Sequence, residues 1–270
     1  MVGRRFGVEE ELLLVDPATG LASGVAATVL EHVDAAVAAS DPGLNPDGIE
    51  KELQQEQIET GTEPFRSLDE LRAEILRLRR VTADAARRAG VAIAALATSP
   101  TPIVPSPYPE RRYQEMVDLY RLTAAEQLTC GMHVHVEVDS PEEGVAALDR
   151  VRGWLAVLLA LSVNSPFWQG RDTGHESFRT QAWSRWPTAG PTGVFGSHDN
   201  YRSVVAAALA TGTLVDDGML YFDARLGRGL PTVELRVSDV CLYADDALLG
   251  AVLARALVDT AVRDWRSGIP

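Results

Sequence analysis

Residues 129–139 have the sequence TCGMHVHVEVD, in which apolar and polar side chains alternate from Met132 onward. Successive side chains of a β-strand point to opposite faces of its sheet. The segment therefore predicts a strand with valines on one face and with His133, His135 and Glu137 on the other. Such regular alternation is typical of an antiparallel sheet that is buried on one face only.

Three further segments divide their side chains in the same way and are predicted to be strands. In Phe6–Val15, Glu9 and Glu11 lie on the face opposite Val8 and Leu12. The other two are residues 219–226 and 231–240, with polar positions at Tyr221, Asp223, Arg225, Thr232, Glu234, Arg236 and Ser238. A solvent-facing surface is the simplest interpretation of a polar sheet face. Glutamate, histidine and arginine bind cations and anions, however, so we favour a concave functional face.

Segments with helical periodicity lie between these strands, and the helices that they predict can cover the apolar face of the sheet. The sequence SLDE at 67–70 is a capping box, and the apolar stripe after it predicts a helix up to Gly90. Further helices are predicted over residues 23–40, 109–129, 144–164, 200–210 and 245–265, the last capped by Asp245, and further strands over 51–60 and 91–97. The predicted fold class is α+β in one domain. Its long aromatic, arginine-rich segment at 164–197 is expected to be functional.

The composition of the 270-residue chain argues against several classes of protein. It has 25 Lys+Arg and 38 Asp+Glu, and the formal net charge of −13 argues against binding to nucleic acid or to acidic membranes. Lys51 is the only lysine, so a GxxxxGK phosphate loop is absent. Two cysteines and no visible signal peptide predict a cytoplasmic protein. The longest apolar stretch, Trp154–Val163, is too short to span a bilayer.

Five glutamates on or near the polar face pose an electrostatic problem. They are Glu9, Glu11, Glu52, Glu56 and Glu59. Carboxylates in a partly dry site repel one another unless they are protonated or bind a cation. Oxygen ligands suit Mg²⁺ or Mn²⁺, and an added imidazole favours Mn²⁺ slightly. Glu52 and Glu59 are seven residues apart, so both can line one site only if a bulge or a strand end lies between them.

The histidines and arginines leave more than one chemistry open. His133 and His135 fit a zinc hydrolase as well as a mixed Glu/His magnesium site, and either could be a half-buried, hydrogen-bonded residue. Guanidinium groups pair with carboxylates and phosphates. The candidate anion-binding residues are Arg171, Arg179, Arg185, Arg225 and Arg236. Without a lysine-bearing loop, nucleotide phosphates would have to be neutralised by metal ions and arginine.

Six segments together resemble the bacterial carboxylate–amine ligase family related to glutamate–cysteine ligase (type 2). These are Gly7–Glu11, Glu52–Thr60, Gly131–Val136, Asn164–Arg171, Arg179–Pro187 and Glu234–Arg236. The resemblance implies a glutamine-synthetase-like fold, in which an antiparallel sheet curves into a funnel with helices on its outer face. It also implies one catalytic domain over residues 1–270 that is short at the C-terminus relative to the family.

The resemblance further implies a reaction in which ATP phosphorylates a carboxylate, typically the side chain of glutamate, and an amine then displaces the phosphate. By motif position, the implied metal ligands are Glu9, Glu52, Glu59, His133 and Glu234. Glu11 would help to hold the nucleotide's metal, and Arg236, with Glu234, would be catalytic and contact phosphate. Arg171 and Arg179 would bind the substrate carboxylate. The implied cofactors are ATP and Mg²⁺, with Mn²⁺ as an alternative metal.

The expected partners are small molecules, an amino acid and an amine, together with a second copy of the chain as a homodimer. The identity of the amine stays open, because no residue indicates recognition of a thiol. Two other functions remain as alternatives from the sequence. One is a metal-dependent hydrolase that uses the HxH pair and the glutamates, and the other is a catalytically impaired protein that binds a nucleotide or an amino acid.

Overall fold

The computed structural model describes residues 3–40 and 48–269, which form a mixed antiparallel sheet and helix fold. The strands are β1 Phe6–Val15, β2 Ile49–Lys51, β3 Gln57–Gly61, β4 Ala92–Ala94, β5 Gly131–Glu137, β6 Phe167–Trp168, β7 Arg171–Asp172, β8 Ala224–Leu226 and β9 Thr232–Asp239. The helices are α1 Ala26–Ser40, α2 Leu68–Arg88, α3 Arg111–Tyr120, α4 Leu122–Glu126, α5 Pro141–Val151, α6 Leu155–Ser162, α7 Phe178–Trp183, α8 His198–Ala210 and α9 Ala244–Arg266.

The main sheet brings together strands that are far apart in the sequence. Its order is β2-β3-β1-β5-β9-β8, with β4 paired to the end of β1, and every pairing is antiparallel. The ladder between β1 and β5 sets Glu9 opposite His133, and the ladder between β1 and β3 sets Glu11 opposite Glu59. Paired residues share a face, so the registers gather the polar side chains at the centre of one side.

The apolar side of the sheet packs against helices α2, α5, α6 and α9. Its valines, Val8, Val134 and Val136, are all buried, as the alternation predicted. Burial of each such side chain contributes about 1.5–3 kcal/mol. A second cluster, which includes Leu12 and Ile58, fills the space between the sheet, α1 and α2.

Two predicted helices are interrupted. The pattern over 109–129 forms α3 and α4, because Arg121 between them has φ of 49°, a left-handed conformation that cannot continue a helix. The pattern over 144–164 begins earlier, at Pro141 with Ser140 as its cap, and a turn at residues 152–154 divides it into α5 and α6. The final helix begins at Ala244 and has no side-chain cap, so the prediction that Asp245 caps it is wrong.

The strand predicted over 219–226 is mostly absent. Residues 217–219 form a 3₁₀ turn, and the strand is limited to β8. Arg225 stabilises this compact path, because its guanidinium donates to the backbone carbonyls of Gly218 and Leu220 at 3.3 and 3.0 Å. The predicted strand over 51–60 is likewise interrupted by a turn between β2 and β3.

The alternation predicted for β9 is interrupted by a β-bulge. Met132 pairs with Ser238 but Val134 pairs with Leu235, so residues 236–237 lie opposite a single residue of β5. A shift of one residue exchanges the faces of a strand. Ser238 therefore lies on the face of Met132, and its prediction as a polar-face residue is wrong.

The long segment after α6 is ordered, and it contains the β6–β7 hairpin and α7. Ser177 caps α7, because its side chain accepts a hydrogen bond from the backbone N–H of Thr180. In the described part of the chain, no helix is long and apolar enough to cross a membrane.

Candidate functional site

The polar face of the sheet holds two clusters of metal-ligating side chains. The histidine cluster consists of Glu9, His133 and Glu234. The glutamate cluster consists of Glu11, Glu52 and Glu59. Within each cluster, one ligand atom of every residue lies within 4.8 Å of the others. All six residues were singled out from the sequence, and the structure brings them together from four strands and one turn.

The histidine cluster is held in a defined arrangement by hydrogen bonds. His133 Nδ1 lies 3.1 Å from Glu9 Oε2 and 4.0 Å from Glu234 Oε1. His135 is not part of this cluster; its Nε2 lies 3.1 Å from the other oxygen of Glu9, and its Nδ1 lies 3.1 Å from Thr232 Oγ1. Among the described residues, His135 therefore does not join His133 as a ligand in this cluster, and the HxH pair does not act as a pair of metal ligands there.

In the glutamate cluster, Glu52 and Glu59 face the same site although they are seven residues apart. β2 ends at Lys51, and a turn precedes β3, so Glu52 and Glu59 belong to different segments and can face the same site. A strand end, not a bulge, makes this possible. Glu56 behaves differently, because both of its carboxylate oxygens accept a hydrogen bond from the backbone N–H of Ser106 at 2.9 and 3.1 Å. The prediction that Glu56 clusters with the other four glutamates is therefore wrong.

The protonation of the two clusters differs. Burial opposes ionisation of Glu9, but hydrogen bonds from His133 and His135 hold its pKa well below the usual range. In the glutamate cluster, burial and the charge of Glu11 raise the pKa of Glu52 to about 7. Burial and the neighbouring carboxylates also raise the pKa of Glu59 well above its usual range. The glutamate cluster therefore retains protons that a bound cation would displace.

Glu234 lies between two guanidinium groups. Arg225 Nε donates to its Oε2 at 2.7 Å, and Arg236 donates to its Oε1. Burial alone would raise the pKa of Glu234, but Arg236 and Arg225 outweigh it and lower that pKa to about 2. The Nε of Arg236 is buried and has no hydrogen-bond partner within the described residues. A buried donor of this kind is costly unless a ligand or water accepts from it.

Arg179 supports the bulge that presents Arg236. Its guanidinium donates to the backbone carbonyls of Arg236 and Val237, both at 3.3 Å, where the bulge disrupts the ladder. The same group lies so close to β5 that a Cβ on Gly131 would come within 2.2 Å of it, which explains the glycine there. Arg179 is buried, and its guanidinium contacts the backbone of β9.

Two other predicted arginines lie away from the clusters. Arg171 is exposed on the β6–β7 hairpin, so the structure does not bring it to the site as a carboxylate-binding residue. Arg185 forms an ion pair with Glu126 at 2.7 Å and lies over the ring of Trp168. Neither arginine lines the cavity described next.

A cavity of about 390 Å³ opens over the clusters. Its sheet side includes Glu9, Glu11, Glu52, Glu59, His133 and Arg236. Elsewhere it is lined by residues that include Arg112, Tyr113, Met116, Trp183, Trp186 and Tyr221. Of this second set, Arg112, Tyr113 and Met116 are not predicted from the sequence to belong to the site, whereas Trp183 and Trp186 lie in the segment 164–197 that is expected to be functional. Tyr221 lay on the predicted polar face, which was a usable signal, whereas nothing in the α3 pattern distinguished Arg112 and Tyr113 from surface residues.

Comparison with known proteins matches nearly the whole chain to one family. The model of glutamate-cysteine ligase family 2 (GCS2) matches residues 5–270. A Streptomyces avermitilis protein with the provisional name glutamate–cysteine ligase 2-1 is 54% identical over 265 residues, which cover 98% of this chain and 72% of that protein. A Paenarthrobacter aurescens protein with the same provisional name is 53% identical over 267 residues, covering 99% of this chain and 69% of the relative.

Two solved structures share the fold at low sequence identity. A glutamate–cysteine ligase from Francisella tularensis, crystallised with AMP, has a TM-score of 0.67 at 15% identity, covering 97% of this chain and 67% of that one. A bifunctional glutathione synthetase from Pasteurella multocida has a TM-score of 0.65 at 16% identity, covering 97% of this chain and 40% of that one. These matches confirm the predicted α+β fold of antiparallel sheet and outer helices.

Proposed function

The chain belongs to glutamate–cysteine ligase family 2, and from that premise we propose that it is an ATP-dependent carboxylate–amine ligase. The observation that carries the proposal is the pair of adjoining clusters, with three carboxylates in one and two carboxylates and an imidazole in the other. Members of both clusters line a cavity, which is also lined by Arg236, whose Nε has no hydrogen-bond partner within the described residues. This combination suits a substrate that brings both cations and phosphate.

The donor set fits Mg²⁺ or Mn²⁺. Because burial and neighbouring charge raise the pKa values of Glu52 and Glu59, these carboxyls need added positive charge in order to ionise fully, and oxygen ligands favour these hard cations. We propose that Glu11, Glu52 and Glu59 hold one ion and that Glu9, His133 and Glu234 hold another. Bound there, the ions would offset the charge of the ATP phosphates during phosphoryl transfer.

The proposed reaction has two steps. A carboxylate oxygen of the first substrate attacks the γ-phosphorus of ATP, the bond to the bridging β,γ-oxygen breaks, and ADP leaves. The amine nitrogen of the second substrate then attacks the acyl carbon, inorganic phosphate leaves with its bonding electron pair, and the nitrogen loses a proton. No protein nucleophile is needed, in keeping with buried cysteines at positions 130 and 241.

Arg236 is the residue of this chain best suited to the transferred group. Its guanidinium is fixed by Glu234 on one side, while its Nε–H is free to donate to a phosphoryl or carboxylate oxygen. Arg225 orients the same carboxylate from its other oxygen, so the array is preorganised before substrates bind. Glutamate is the proposed carboxylate substrate, by analogy with the names of the relatives. The amine is not identified by any contact.

The test is an ATP-consumption screen on the purified protein. ADP release is measured with glutamate and a panel of amines, cysteine among them, with Mg²⁺, with Mn²⁺ and with a chelator. The proposal expects ADP release that requires the divalent cation, the carboxylate and the amine together. ATP·Mg²⁺ binding without ADP release across the panel would instead support a non-catalytic binding protein.

A single-domain organisation over residues 1–270, a homodimer and a cytoplasmic location remain predictions.

A further inference from the structure

Thr188 is a non-glycine residue in a strained backbone conformation close to the cavity. Its φ is 65°, in the left-handed region that β-branched residues rarely adopt. Such strain persists only where surrounding contacts impose it, and it is concentrated at functional sites. Here the contacts are two hydrogen bonds of the side chain: Thr188 Oγ1 donates to the carbonyl of Met219 at 3.0 Å and accepts from the N–H of Tyr221 at 2.9 Å.

These bonds fix the backbone on both sides of Leu220 and hence the position of Tyr221. The segment is held further by a hydrogen bond of 3.0 Å from the N–H of Asp223 to the carbonyl of Gly190. The ring of Tyr221 packs edge-on against Trp183 and Trp186, with centroids 4.7 and 5.6 Å apart. Backbone and ring are therefore both restrained.

The hydroxyl of Tyr221, in contrast, has no hydrogen-bond partner within the described residues. The side chain is 8% exposed and lines the cavity. The charged groups that act on it are the guanidiniums of Arg112 and Arg236 and the carboxylates of Glu52 and Asp216. Burial raises the pKa of Tyr221 well above its usual range, so the phenol keeps its proton and remains a donor.

We propose that the Tyr221 hydroxyl donates a hydrogen bond to an anionic oxygen of the substrate, beside Arg112 and Arg236, and that Thr188 is the residue that positions it. The anionic oxygen belongs either to a phosphoryl group of ATP or to a carboxylate of the amino-acid substrate. The inference rests on the proposed ligase function for the identity of these substrates. It adds one residue that contacts the substrate and one that acts through it.

The test compares Tyr221→Phe, Thr188→Val, Thr188→Ser and the double variant Tyr221→Phe/Thr188→Val. Thr188→Val keeps the β-branched shape but removes the hydroxyl, and Thr188→Ser keeps the hydroxyl. Tyr243→Phe, at an exposed tyrosine before α9, is the matched control. Thermal unfolding of each variant is recorded to confirm that it is folded.

We expect Tyr221→Phe to lower kcat/KM for ADP release by about 10-fold to 100-fold, the effect of losing a hydrogen bond to a charged group. Thr188→Val should lower it by about 5-fold, whereas Thr188→Ser should stay within about 2-fold. Because Thr188 acts through Tyr221, the double variant should be no worse than Tyr221→Phe alone. A rise confined to the KM of ATP or to that of the carboxylate identifies which oxygen is bound.

Two results would overturn the inference while the ligase function stands. One is unchanged kinetics in Tyr221→Phe, and the other is a double variant whose loss equals the product of the two single losses. If the wild-type protein releases no ADP, the ligase proposal fails by itself. Tyr221 is then judged by the calorimetric affinity for ATP with Mg²⁺ and for glutamate. A roughly 10-fold weakening of either in Tyr221→Phe supports the inference, and two unchanged affinities reject it.

Discussion

Replacement of Glu59 by glutamine distinguishes two properties of the glutamate cluster. One is the electrostatic repulsion between its carboxylates when no cation is bound, and the other is its binding of a divalent cation. Burial, and after it the neighbouring carboxylates, raise the pKa of Glu59. Two charged carboxylates within 4.8 Å of each other repel by about 3 kcal/mol or more at an effective dielectric constant near 20. Glutamine has the shape of the protonated carboxyl. Without a divalent cation, Glu59→Gln should therefore leave the free energy of unfolding unchanged or slightly higher.

With a divalent cation the same substitution removes one of three carboxylate ligands. A cation at 100 times its dissociation constant stabilises a protein by about 2.7 kcal/mol, which corresponds to a rise in Tm of roughly 5–10 °C for a chain of this size. We expect Mg²⁺ or Mn²⁺ to produce that rise in the wild-type protein and less than about half of it in Glu59→Gln.

The assay is thermal unfolding in chelator and in increasing concentrations of each cation. Glu115→Gln, which changes a half-exposed carboxylate on α3, is the control and should respond as the wild type does. If Glu59→Gln retains the full rise in Tm, the glutamate cluster is not the cation site. If it is strongly destabilised in chelator, Glu59 has a structural role that its raised pKa does not explain.

Three further predictions concern pH, the buried ion pairs and the arginines. Because the pKa of Glu52 is raised to about 7 in the folded protein, its contribution to stability is present below the unfolded value near 4.5 and is lost as the pH rises through 7. Urea unfolding in chelator should thus show a loss of up to about 3 kcal/mol between pH 5 and pH 8, and a flat or rising profile would contradict this. Glu234→Gln leaves two buried guanidiniums uncompensated, so it should lower the free energy of unfolding by about 3–5 kcal/mol as well as abolish ADP release, and a fully stable, active variant would rule out the assigned pairing. Arg171→Ala should alter kcat/KM by less than about 2-fold, because its side chain is exposed outside the cavity, whereas Arg179→Ala should destabilise the fold by about 2 kcal/mol or more. These effects are measured by kinetics and urea unfolding. A large loss of kcat/KM in Arg171→Ala, with little destabilisation in Arg179→Ala, would restore Arg171 as a substrate-binding residue.

The polar face of the sheet could be predicted because it follows from local alternation. Glu9, Glu11 and His133 needed only the two-residue period of a strand to be assigned to one side. The glutamate cluster also required the turn between β2 and β3, whose existence followed from the odd spacing of Glu52 and Glu59 but whose form did not.

What escaped prediction depends on contacts between distant segments. The bulge in β9 is stabilised by Arg179 from α7, more than 50 residues earlier in the chain, and no local pattern reports such a contact. Tyr221 falls on the predicted polar face, but its support by Thr188 could not be predicted, because a left-handed conformation is not expected of a threonine. The break at Arg121 is similar, since an arginine there gives no sign of a positive φ.

Anomalous diffraction from crystals grown with Mn²⁺ and a non-hydrolysable ATP analogue tests most directly whether the two clusters bind divalent cations. We predict manganese peaks within coordination distance of Glu9, His133 and Glu234 and of Glu11, Glu52 and Glu59, with nucleotide phosphate beside them. Nucleotide bound elsewhere, with no manganese at either cluster, would contradict the proposed site and the ligase chemistry built on it.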